Sequence, residues 1–161
     1  MSTDEDIKDI IFRGFLALQK MKGVPINVKH RMLGCLISMN KDAWRVVGIT
    51  QAALEKFVEN DFERPKGVNR SHIHQRSETS KYLFSQTDWN RDSWWDYYTK
   101  RDITILATSS ENMDKKQDIS KFDVPIGLFK ARGFAFTVKD AEKDFLREIS
   151  KKCNWEKFPG G

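Results

Sequence analysis

The chain has 161 residues, 39% of them hydrophobic and 32% charged, with 28 Lys and Arg against 23 Asp and Glu. That length supports one well-buried core and is short for two independent ones. No apolar run approaches the roughly 18 residues needed to cross a bilayer, so no membrane association is expected. Two isolated thiols, Cys35 and Cys153, exclude a zinc cage of paired cysteines. No structural zinc is therefore expected, and any bound metal would take nitrogen and oxygen donors. The start, MSTDEDIKD, is acidic and polar, unlike a secretory or transit leader, which gives the expectation of an intracellular, cytoplasmic protein. The basic excess falls in the last two thirds of the chain, where a polyanion would be held.

In chain order, Thr3 and Asp6 form a helix start signal, and Ile7, Ile10, Ile11, Phe15, Leu18 and Met21 recur at three and four residues, until Gly23 and Pro25 stop the helix. A second helix is predicted over Val28 to Met39, with Asn27 as its cap and Met32, Leu33, Leu36 and Met39 inward. A short helical segment is predicted at Ala43 to Val47, then a helix after Thr50 carrying Leu54, Phe57 and Val58. Helix, glycine-containing turn and helix in DAWRVVGITQAALEKF outline a helix-turn-helix, with Gln51 and Lys56 as its early polar side chains, though plain helical packing explains the pattern better. ERPKG ends this helical region near residue 66.

Residues 68–76 read as a strand, in which His72 and His74 share one face and Ile73 points to the other. Seven aromatic residues between Glu78 and Thr99 read first as core packing and second as a stacking surface for bases. DITILA, residues 102–107, is a second strand, and Thr108, Ser109 or Ser110 caps a helix with Glu111 and Asn112 in its first turn. After a loop at Asp123 to Pro125, GLFKARGFAFTV predicts a hairpin turning near Arg132 and Gly133. KDAEKDFLREISKKC predicts an amphipathic helix with Ala141, Phe145, Leu146 and Ile149 inward.

Strand, strand and helix in this order suit phosphodiester hydrolysis, which needs an activated water and neutralisation of charge on the phosphate and the leaving oxygen. An imidazole, whose unperturbed value lies near neutral pH, serves the first need, and His72 would supply it. A divalent ion serves the others.

The motifs Ser71-His72-Ile73-His74 and Thr108-Ser109-Ser110-Glu111-Asn112-Met113-Asp114 together resemble the His-Me finger (HNH) endonucleases, most closely the His-Cys box and phage HNH homing enzymes. The likeness covers roughly residues 67 to 118. It implies a ββα-metal core (67–120), which with the helical N-terminal part (1–66) and the C-terminal hairpin and helix (121–161) read from the residues gives the expectation of an α+β protein. It further implies that His72 is the general base and that Asn112 is the protein ligand of one Mg2+ or Mn2+ ion. Arg70 or Arg76 would clamp the scissile phosphate, and His74 would assist or serve structurally. Double-stranded DNA is the implied partner, met by Lys66, Arg76, Lys81, Lys100, Arg101, Lys115 and Lys116, and a homodimer would supply two sites for two strands. The cysteines that bind structural zinc in those enzymes are absent, and the aromatic segment stands where they would act as a staple. The alternative implied by the same likeness is a DNA-binding protein on this scaffold that does not cut.

Overall fold

The computed structural model describes residues 3–113, 120–133 and 135–153. Its elements run α1 (Asp4–Lys20), α2 (Ile26–Ile37), β1 (Arg45–Thr50), α3 (Gln51–Glu59), β2 (Val68–His72), α4 (Arg76–Ser85), α5 (Arg91–Arg101), β3 (Ile103–Thr108), α6 (Ser109–Met113), β4 (Ser120–Asp123), β5 (Ala131–Arg132), β6 (Ala135–Phe136) and α7 (Asp140–Lys151). This is an α+β fold. It divides into two compact units that interleave along the chain: a helical unit of residues 1–45 and 72–103, and a sheet unit of residues 46–71 and 104–161. The compact units therefore cut across a contiguous division at 66 and 120.

In the helical unit, the Thr3 hydroxyl accepts from Asp6 N–H at 3.2 Å while Thr3 N–H donates to the Asp6 carboxylate at 2.8 Å, a capping box that starts α1. Helix α2 starts at Ile26 rather than Val28, because the Pro25 carbonyl already accepts from Val28 and Lys29. The core gathers Ile11, Phe12, Phe15 and Leu18 of α1, Leu33 and Ile37 of α2, Leu83 of α4, and Trp94, Trp95 and Tyr98 of α5. Trp94 is completely buried and stacks on Tyr98 with centroids 5.3 Å apart and planes 8° from parallel. The segment 78–99 thus falls in two helices whose rings pack in this core. The inward sets were drawn too wide: Ile10, Met21, Met32 and Met39 are exposed, since each helix buries only the stripe that faces a neighbour.

In the sheet unit the strand order is β2-β3-β1-β4. β1 and β4 are antiparallel, with Gly48 opposite Asp123 and Ile49 opposite Phe122. β2 and β3 are also antiparallel, because Ile73 N–H donates to Ile103 O at one end and Ser109 N–H to Gly67 O at the other. β5 and β6 form the expected hairpin around Gly133. Val46, Ile49, Leu54, Phe57, Val68, Leu106, Phe129, Phe136, Leu146 and Ile149 make the core. On α7, Leu146 and Ile149 are buried, Phe145 is half-buried, and Ala141 is exposed. Val58 of α3 is exposed as well.

Two expectations are corrected. Residues 45–50 are a strand, so the helix-turn-helix outline is not formed: Trp44 sits at φ 57°, a left-handed conformation in which no right-handed helix continues. The β-branched Val46, Val47 and Ile49 then pair between two other strands. Second, β2 ends at His72, so His74 is not the next residue on the same strand face.

Candidate functional site

In the helical unit, the chemistry collects around Asp102. This residue closes α5, where its N–H bonds Tyr98 O at 2.9 Å, and its side chain is almost completely buried. One carboxylate oxygen accepts the Trp44 N–H at 2.8 Å, and the other faces His72 Nε2 at 3.4 Å. Trp44 stands edge-on to the His72 ring, with centroids 4.6 Å apart. A carboxylate facing one ring nitrogen orients an imidazole and leaves the other nitrogen to face a reacting group. Burial, and then the Asp102 charge beside it, push the Tyr98 phenol well above its ordinary range. Trp44 is a bulky residue in the left-handed region, a conformation that persists only when its surroundings over-determine it. The bond from its N–H to Asp102 and the contact with His72 do so here.

In the sheet unit, the motif around Asn112 has a structural half and an exposed half. Glu111 accepts from Thr108 N–H at 2.8 Å, from the Thr108 hydroxyl at 3.0 Å and from the Thr50 hydroxyl at 2.8 Å, so it caps the start of α6 and ties it to β1. Thr108 and Glu111 of the motif are thus accounted for by capping. Asn112 is exposed, and its amide oxygen accepts from the Ser71 hydroxyl at 2.6 Å. Asn69, two residues earlier on the same face of β2, donates to the Ser109 hydroxyl at 3.1 Å. The Asn112 amide oxygen and the Ser71 hydroxyl are donors of the kind a hard divalent cation takes. Among the described residues no three His, Cys, Asp or Glu side chains converge, so such an ion would draw most of its shell from water and substrate phosphate.

No family model, curated protein or solved structure matches the chain.

The remaining expected site residues scatter. Arg70 is buried and donates to Gly133 O at 3.1 Å, a tie between β2 and the β5-β6 hairpin, which replaces the expected phosphate clamp. Arg76 opens α4 with its guanidinium 4.7 Å from the Trp44 ring centroid. His74 and Arg101 line the same cleft of the helical unit as Arg76. Lys66 and Lys81 are exposed, and so is Lys100, whose ammonium pairs with Asp96 at 2.7 Å. Lys115 and Lys116 lie outside the described residues. Sequence reasoning passed over Asp102, which looked like the first residue of a strand, and over Trp44, His30 and Ser80, whose partners are 50 or more positions away. Only the acid placed directly between an aromatic helix and a β-branched run offered a local signal.

Proposed function

We propose that the chain is a divalent-metal-dependent endonuclease acting on double-stranded DNA. One observation carries the reading: β2 and β3 pair antiparallel, α6 follows β3 directly, and the Asn112 amide of α6 is held by Ser71, the residue preceding His72. In this reading His72, oriented by Asp102, takes the proton of the attacking water. Asn112, with Ser71 beside it, supplies oxygen donors for Mg2+ or Mn2+. When bound, that ion would neutralise charge on the phosphate and the leaving oxygen. A homodimer would present one such site to each strand.

A DNA-binding protein that does not cut is the second reading, favoured by the alternation along β2. Ser71 turns toward Asn112, and His72, the next residue, turns to the other face. Plasmid nicking in Mg2+ or Mn2+, with and without chelator, separates the two. The nuclease reading expects cutting by the wild type that chelator abolishes and that His72→Ala and Asn112→Ala each reduce by about 100-fold or more. Salt-sensitive DNA binding without nicking would favour the second reading, and undiminished cutting by His72→Ala would overturn the first.

A further inference from the structure

The helical unit contains an open cleft whose polar wall is His30, His74, Arg76, Ser80, Arg101 and Asp102. Neither Arg76 nor Arg101 forms an ion pair among the described residues, although acidic side chains elsewhere on the unit do pair with their neighbours. Each guanidinium is instead oriented by an aromatic face, Arg76 over Trp44 at 4.7 Å and Arg101 over Tyr97 at 5.6 Å. Stacking fixes the plane of the group and leaves its edge N–H donors available for a planar or tetrahedral oxyanion. Arg101 is further held by its Nε–H bond to the Thr79 hydroxyl at 3.1 Å. Arg76 enters the cleft past Gly34, where an added Cβ would lie 2.7 Å from its terminal nitrogen. A glycine inside α2 weakens the helix relative to alanine, and the space it leaves is taken by the arginine.

Two histidines complete the wall. His30 Nδ1 is 2.6 Å from the Ser80 hydroxyl, so one ring nitrogen is committed within the cleft. Burial, and then the positive charges of Arg76 and Arg31, hold His30 below its ordinary range, while burial and Arg101 do the same for His74. The one carboxylate in the cleft, Asp102, is already engaged by the Trp44 N–H and His72. The wall therefore carries two guanidinium groups that form no ion pair among the described residues, one carboxylate already held by other partners, and hydrogen-bonding groups beside them.

We propose that this cleft is a phosphate-binding subsite, in which Arg76 and Arg101 take the oxygens of one phosphoryl group and His30, His74 and Ser80 complete the hydrogen bonds. The group is a free phosphate monoester or a phosphate of a nucleic-acid strand, since the two share this chemistry. Binding requires neither a metal nor cleavage, so it stands or falls separately from the nuclease reading.

The test is a thermal melt of the full chain without metal, followed by tryptophan fluorescence. Trp44, Trp89, Trp94 and Trp95 all belong to the helical unit. Inorganic phosphate at about 10 mM is expected to raise the melting temperature by about 3 °C over chloride of equal ionic strength. Arg76→Gln and Arg101→Gln should each abolish the rise, while Lys20→Gln, the same charge change on the exposed face of α1, should keep it. A variant that fails to melt cooperatively is replaced by Arg76→Lys or Arg101→Lys, expected to retain only part of the rise. No rise in the wild type, or an equal rise in the two arginine variants, would overturn the proposal. A nucleoside 5′-monophosphate and a short DNA duplex, each added in place of phosphate, then identify the source as small monoester or strand. Loss of the phosphate effect with cutting intact fails this subsite alone, and absence of cutting with the phosphate effect intact fails the nuclease reading alone.

Discussion

The two units use their buried and half-buried carboxylates differently. In the sheet unit, Glu142 accepts from Phe129 N–H at 3.0 Å and Lys139 N–H at 2.8 Å, and Glu111 accepts from a backbone N–H and two threonine hydroxyls. Those partners do not titrate near neutral pH, so these carboxylates act as staples that satisfy helix starts and a loop. In the helical unit, Asp102 shares itself between a backbone N–H and an imidazole, with a phenol against it. A carboxylate with titratable neighbours can set a proton's position, which a staple cannot. The difference separates an acid kept for folding from one suited to chemistry.

The largest effect expected from this contrast is on stability. Glu142→Ala leaves the buried Phe129 N–H and the part-buried Lys139 N–H without their acceptor and should cost about 3 kcal/mol, read by urea unfolding. A loss below about 1 kcal/mol would remove the staple interpretation. Asp102→Asn keeps the shape and an acceptor for Trp44 N–H, so unfolding should change by about 1 kcal/mol. Its effect belongs on activity: within the nuclease reading, nicking should fall about 100-fold as the imidazole loses its orienting charge. A variant that unfolds as easily as Glu142→Ala yet cuts normally would make Asp102 one more staple.

Glu111→Gln retains oxygen acceptance and loses the charge at the start of α6, with an expected cost of about 1 kcal/mol in the same unfolding measurement. The smallest effect is a pH slope. His30 and His74 hold fewer protons folded than unfolded just below the imidazole's ordinary value of about 6.5, so their depressed values add stability present above that pH and lost as pH falls through the folded values. Comparing melts at pH 7 and pH 5, the drop should be smaller in His30→Gln than in the wild type. An identical drop would show that the burial of this ring is not felt.

Local signals were legible where a single segment suffices. Thr3 with Asp6 marks the start of α1, Thr50 caps α3 by accepting from Ala53 N–H at 3.1 Å, and the α7 stripe of Leu146 and Ile149 follows from spacing. Capping and helical periodicity involve residues three or four apart, so the sequence contains both partners. The strand at 45–50 escaped because its partners are β3 and β4, more than fifty residues away, and its short apolar run fits either period until those partners are known.

By itself the sequence determined an α+β protein, most of its helices, the hairpin at Gly133, and the two motifs bearing His72 and Asn112. The tertiary structure decided which side chains those motifs meet: Asp102 and Trp44 for His72, Ser71 for Asn112, Gly133 for Arg70. It also decided that residues 72–103 belong with the first 45 residues rather than with the strand they follow. The physical reason is the same in each case. Burial of an aromatic core and satisfaction of a buried charge are settled between segments distant in the chain, and no local pattern records a partner that lies elsewhere.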